Sequence, residues 1–222
     1  MNINPVLTVR QIKDDTWPHL DFNNDTWRDI PAQTLVHHMG IAPEHRPLTQ
    51  FKIACDSEAV RVIFKVEDRY VKAVAKGYQG PVFKDSCVEF FFSPNAHVSS
   101  GYFNLEVNCC GTALFEFHPP HGGNLIKIPE SAFRKISIAH QLEGPIDPEI
   151  ETPLTWSVAF RLPFEILRPY CPVTIPGPGA SWRANFYKCG DKTSHPHWLT
   201  WAHVDFPAPR FHLPEFFGVL SF

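Results

Sequence analysis

The chain has 222 residues, of which 44% are hydrophobic and 19% charged, with a net charge of −3. That apolar content supports a real core and excludes a disordered chain, and the absence of a basic cluster excludes a nucleic-acid surface. No apolar stretch approaches the ~20 residues of a membrane span, and 22 prolines, about twice the usual share, exclude long helices.

The N-terminal MNINPVLTVRQIKDD lacks the apolar centre of a secretory signal, which places the chain in the cytoplasm by default and outside it only if a leader has been removed. From residue 51 the apolar pattern has period two. Phe51, Ile53 and Cys55 alternate with polar residues; a DSE turn follows; Val62, Phe64 and Val66 then alternate with Arg61, Lys65 and Glu67, which predicts a hairpin. SCVEFFFSP predicts the next strand, with Phe90 and Phe92 inward and Glu89 on the face of Cys87 and Phe91. In GYFNLEVNCCG, Phe103, Leu105, Val107 and Cys109 take the inner face, and Tyr102, Asn104, Glu106 and Asn108 the outer. GTALFEFHPP pairs back. LTWSVAFRLPFEIL starts as a strand with Trp156, Val158, Phe160 and Leu162 inward, and proline at 163 suits the first turn of a short helix over residues 163–170. In SWRANFYKCGD, Arg183, Asn185 and Tyr187 share a face. The stretches 117–130 and 171–181 are Pro/Gly-rich loops. The pattern predicts an all-β fold, one antiparallel β-sandwich domain spanning residues 1–222 with a short helix and long loops.

The six cysteines, Cys55, Cys87, Cys109, Cys110, Cys171 and Cys189, form no CxxC pair and read as reduced and mostly buried. The paired histidines of HPPHGG (His118, His121) and HPHW (His195, His197) read as surface-loop residues, because no carboxylate or cysteine stands at a convincing ligand spacing. The outer strand faces are distinctive. Amides, a carboxylate, a guanidinium and phenols offer fixed donors and acceptors of the kind that neutral hydroxyls require. Phe83 and Phe211 fall in Pro/Gly-flanked loops, outside the core periodicity, where an aromatic ring either plugs the loop or stacks on an apolar ligand face.

Six ordered blocks, VFKDSCVEFFFSPN, GYFNLEVNCCGTAL, TWSVAFRLPFEIL, WRANFYKCGD, HWLTWAHV and FHLPEFFGVLSF, resemble the family 9 carbohydrate-binding modules, and most closely the stand-alone family 9-like proteins of bacteria. The resemblance implies a β-sandwich that holds a sugar between two stacked aromatic rings. These rings are usually tryptophans, and the matching positions here are Phe83 and Phe211. It maps the strand glutamate to Glu89 and an asparagine to Asn108. A ligand arginine of the family is replaced by Glu106, leaving Arg183 and Asn185 on the facing strand as further candidates. Some members hold a structural calcium, so the resemblance leaves a structural calcium possible here, with no ligand set assigned to it.

Three readings follow. The first is non-catalytic saccharide binding by Phe83, Glu89, Glu106, Asn108, Arg183, Asn185 and Phe211. The second is a sandwich that has lost sugar binding and serves a protein partner or self-association. The third is a sugar-processing enzyme using the Glu89 and Glu106 carboxylates.

Overall fold

A strand with one face on a core must send every second residue inward, so the alternation in this chain builds two sheets that share their apolar faces. The computed structural model describes residues 4–13 and 18–222, apart from the side chain of His121. Its main strands are β1 (Leu48–Cys55), β2 (Ala59–Asp68), β3 (Cys87–Ser93), β4 (Tyr102–Asn108), β5 (Ala113–His118), β6 (Ser137–His140), β7 (Leu154–Pro163), β8 (Ser181–Cys189), β9 (Trp198–Thr200) and β10 (Gly218–Ser221). One sheet runs β10-β8-β3-β4-β5, with β9 on the C-terminal end of β8. The other runs β6-β7-β2-β1. Among the described residues the pairing is antiparallel except at two edges, where Val6–Thr8 runs parallel to β10 and Arg10–Gln11 parallel to β1.

Aromatic rings fill the space between the sheets. Phe51 of β1 stacks on Phe186 of β8 at 3.7 Å, Phe186 on Phe90 of β3 at 4.9 Å, and Phe92 on Trp182 at 5.6 Å. Phe90, Phe92, Phe103, Trp156 and Phe160 are all buried, as their periodicity predicts. Each such ring stabilises the fold by about 1.5–3 kcal/mol. The outer face of β1 is covered too: the N-terminal segment packs Trp27 and Ile30 on Ala54, and Lys52 Nζ donates to the carbonyls of Phe22 and Trp27.

The helix expected over 163–170 is a single 3-10 turn, Phe164–Ile166. Phe164 and Ile166 bury into the core, while Pro169 has no N–H to continue a helix and the chain leaves in a turn closed by Tyr170 N on the Leu167 carbonyl. The one α-helical turn among the described residues is Glu130–Phe133, at the end of a stretch read as loop.

The HPHW histidines are not both surface residues. His195 stacks on Tyr70 at 3.6 Å, but His197 is completely buried. The cause is Lys188, which the alternation of β8 turns inward with Trp182 and Phe186. Its ammonium donates to His197 Nε2 at 2.6 Å and to the Cys189 carbonyl at 2.9 Å, and lies 3.5 Å from Asp68 Oδ2. Burial first, and then the Lys188 charge, hold His197 down at about 3, against the His195 carbonyl and Asp68, which raise it; His45 adds a small lowering effect. Between pH 6.5 and about 3 the unfolded chain therefore takes a proton that the native state refuses, and stability falls as pH drops. His197→Gln keeps an acceptor for Lys188 and does not titrate. The stability advantage of the parent over this variant is expected to shrink by about 1.4 kcal/mol per pH unit below 6.5 in urea denaturation. An advantage independent of pH contradicts this account.

Candidate functional site

The residues turned away from the space between the sheets form the outer face of the β10-β8-β3-β4-β5 sheet: Cys87, Glu89 and Phe91 on β3, Asn104 and Glu106 on β4, Leu114 and Glu116 on β5, and Tyr187 and Cys189 on β8, of which the apolar ones make a second buried cluster. Two segments partly roof this face. One is the 3-10 turn Val82–Lys84, anchored by buried Val82 and by bonds from Asp191 N and Lys192 N to the carbonyls of Phe83 and Lys84. The other is the proline-rich stretch around Pro209 and Phe211, held by Tyr187 Oη donating to the Phe211 carbonyl at 3.2 Å. Between them lies a cleft of about 340 Å³.

Its walls are aromatic. Phe83 is 36% exposed. Phe211 lines the cleft but is only 9% exposed, with one ring face covered by Tyr187, stacked at 4.1 Å. Trp198, Arg210 and His212 also line it, with Trp198 Nε1 donating to Asp191 Oδ1 at 2.7 Å and His212 Nδ1 lying 3.0 Å from Tyr102 Oη. Burial first, then the neighbouring His118 and Arg210, lower His212 to about 4, so at neutral pH it is an uncharged ring.

The floor is acidic. Glu89 of β3 and Glu106 of β4 stand directly opposite each other across the strand pair, and both are almost fully buried. Glu89 Oε1 accepts from Cys189 Sγ at 3.0 Å and Glu106 Oε1 from Asn104 Nδ2 at 2.9 Å. The second oxygen of each, Oε2, has no partner among the described residues. A buried polar atom without a partner costs about 1–3 kcal/mol, so a hydrogen-bond donor reaching either oxygen would be stabilising. Burial, followed by Cys189, Glu106 and Asp191, pushes the Glu89 carboxyl well above the usual range. Burial also raises Glu106 to about 8, with the Asn104 bond pulling it down and the Glu116 and Asp191 charges adding to the rise. Burial thus favours the uncharged form at both positions, and a protonated carboxyl both donates and accepts.

The remaining expected site residues lie elsewhere on the same face. Asn108 closes the β4–β5 turn: Oδ1 accepts from Cys110 N and Thr112 N, and Nδ2 donates to Asp85 Oδ2 at 2.8 Å. Gly111 makes that turn with φ of +80°, where a Cβ would lie 2.4 Å from the His140 ring. Asp85, the acid that precedes the apolar run, is fully buried and also accepts from Val74 N and Ala75 N. Asn185 is engaged with backbone, donating to the Ala202 carbonyl and accepting from Phe186 N and Ala202 N. Arg183 donates to the carbonyls of Gly218 and Phe217. None of these three lines the cleft, whereas Phe83, Glu89, Glu106 and Phe211 all do. Sequence reasoning missed Trp198, Asp191, Glu116 and His212. Glu116 had the readable signal, since it alternates outward between Phe115 and Phe117.

Among the described residues, the one convergent set of three metal-type side chains is Cys87, Glu89 and Cys189. Two thiols do not suit calcium, which takes 6–8 oxygen ligands, so this set does not fit the structural calcium of some family 9 members.

A β-sandwich with an aromatic-walled, acid-floored cleft on one outer sheet face is the architecture of a small-ligand binding module. The chain belongs to the family described as Carbohydrate-binding family 9, whose sequence pattern matches residues 20–222. It is similar to a candidate carbohydrate-binding protein from Bacteroides uniformis, with 28% identity, 98% of this chain and 99% of that one covered, and a TM-score of 0.88. It also shares its fold with a family 9 carbohydrate-binding module from Caldicellulosiruptor kristjanssonii. The complex of that module with glucose has 12% identity, a TM-score of 0.65 and coverage of 98% and 95%. The complex with cellotriose has 12% identity, a TM-score of 0.64 and coverage of 98% and 93%. No curated protein sequence matches the chain.

Proposed function

We propose that the chain binds a neutral saccharide non-catalytically in the cleft, with a sugar ring between Phe83 and Phe211 and its hydroxyls on Glu89 and Glu106. The observation that carries this reading is the pair of buried carboxyls, each with one unpartnered oxygen, beneath aromatic walls. Sugar hydroxyls both donate and accept, and so does a protonated carboxyl, while the apolar faces of a pyranose suit the rings. The glucose and cellotriose complexes of the Caldicellulosiruptor module are consistent with this ligand class. Burial of both carboxyls also argues against the enzyme reading. A glycosidase needs one ionised carboxylate as nucleophile or base, and burial disfavours that form at both positions.

Saturation-transfer NMR with neutral mono- and oligosaccharides, glucose and cellotriose among them, tests the reading. Transfer to the protons of at least one sugar is expected, and its loss in Glu106→Leu. Silence across the panel, or transfer unchanged in that variant, would count against the cleft. Trp198 supplies a second readout, because a ligand in the cleft lies beside its indole and should change tryptophan emission.

A further inference from the structure

The floor of the cleft holds a second arrangement, which shares Glu89 with the saccharide reading and adds two thiols that reading does not use. Cys87 and Cys189 are directly opposite each other on β3 and β8, and Glu89 follows Cys87 by two residues on the same outward face. Their donor atoms all lie within 4.8 Å of one another, with Cys189 Sγ and Glu89 Oε1 at 3.0 Å. All three side chains are buried, and Glu89 Oε2 has no partner. We propose that Cys87, Glu89 and Cys189 form a three-ligand site for a thiophilic divalent cation of the zinc class, with its fourth position facing the cleft.

The geometry is close to what such an ion requires. Metal–sulfur distances near 2.3 Å and metal–oxygen distances near 2.0–2.2 Å place adjacent donors of a tetrahedron about 3.5–3.8 Å apart. The separations here, from 3.0 Å to at most 4.8 Å, bracket that edge, so side-chain adjustments of about 1 Å close the site. Two adjacent central strands fix the backbone, which favours a preorganised site. Two sulfurs select zinc, cobalt or cadmium over calcium and magnesium. An ion can enter because Glu89 and Cys189 line the cleft, while Cys87 lies behind them among Val82, Phe91 and Tyr187. On binding, both thiols release their protons to solvent, as does Glu89 when protonated, and the fourth position takes water or a ligand oxygen. Glu89 takes part in both proposals, but this one needs no saccharide, and its test contains none.

Cobalt(II) titration of the reduced protein is the test, because cobalt reports both thiolate ligation and coordination geometry. One equivalent is expected to give a thiolate-to-cobalt charge-transfer band and the intense visible bands of a tetrahedral site, both removed by added zinc. Loss of an outer-shell partner already costs about 10–100-fold in metal affinity, so Glu89→Gln, close in shape to the parent, should weaken cobalt by at least about tenfold. Cys189→Ala should abolish the charge-transfer band while circular dichroism stays native, and Cys110→Ala, the more exposed thiol, should leave it intact. The proposal is overturned if the folded parent gives no such band at millimolar cobalt. It is equally overturned if the band survives both Glu89→Gln and Cys189→Ala.

Discussion

Phe83→Ala is expected to abolish detectable saccharide binding while leaving the fold intact. The ring is 36% exposed and sits on a 3-10 turn held by its own backbone bonds and by Val82, so truncation removes little packing from the body. A bound sugar, in contrast, loses one of its two apolar contacts, and full burial of a phenylalanine ring is worth about 1.5–3 kcal/mol. Millimolar and micromolar dissociation constants correspond to about −4 and −8 kcal/mol, so a loss near 2 kcal/mol weakens binding about 30-fold and takes a millimolar ligand out of range. Calorimetric titration is the check. Unchanged affinity in Phe83→Ala would remove this ring from the site. Phe211→Ala is a poorer probe, because Phe211 also packs on Tyr187, and core phenylalanine truncations cost about 3–5 kcal/mol of stability.

The largest stability effect is expected at Asp68. Its carboxylate is buried, lies 2.7 Å from His45 Nε2, accepts from Arg69 N at 2.8 Å and from Trp156 Nε1 at 3.4 Å, and faces the buried Lys188 ammonium at 3.5 Å. Burial alone would raise this carboxyl. The Lys188 charge, the His45 bond, His197 and the Arg69 amide outweigh it and hold the group well below the usual carboxylate range. Asp68→Ala leaves Lys188 charged in the interior without its counter-ion, a change that typically costs about 3–5 kcal/mol. For a chain of this length that lowers the melting temperature by roughly 6–20 °C. The sign with pH follows from the depressed value: the stabilisation is present above the unfolded carboxyl near 3.9 and is lost as pH falls through the lower folded value. The deficit of Asp68→Asn relative to the parent should therefore shrink only below about pH 4. A deficit under 1 kcal/mol at neutral pH, measured by urea denaturation, would show that Lys188 finds sufficient partners in His197 and the Cys189 carbonyl.

Much of the fold was legible because alternation is a local property. Each of β1, β2, β3, β4, β7 and β8 turns inward the residues its period assigns, and the same rule puts Glu89 and Glu106 outward. The helix over 163–170 was misplaced because proline at 163 starts a turn as readily as a helix, and Pro169 then stops it. For the cleft, the strand pattern gives the face but neither the height along it nor the loops above it. Asn108, Asn185 and Arg183 share the outward face with the acids, yet turns and neighbouring backbone carbonyls take up their polar groups. Phe83 and Phe211 stood out because aromatic rings among prolines and glycines have no periodic place in the core. Trp198 and His212 gave no such signal. Trp198 reaches the cleft only through the pairing of β9 with the end of β8, and His212 through the path of the loop that carries Phe211. Both are long-range consequences of topology.

The most direct measurement is a crystal structure of the protein soaked with the saccharide that gives the strongest NMR response. A pyranose ring packed between Phe83 and Phe211, with a hydroxyl about 3 Å from Glu89 or Glu106, is the predicted result. A sugar bound on another face, with the cleft filled only by water, would contradict the account.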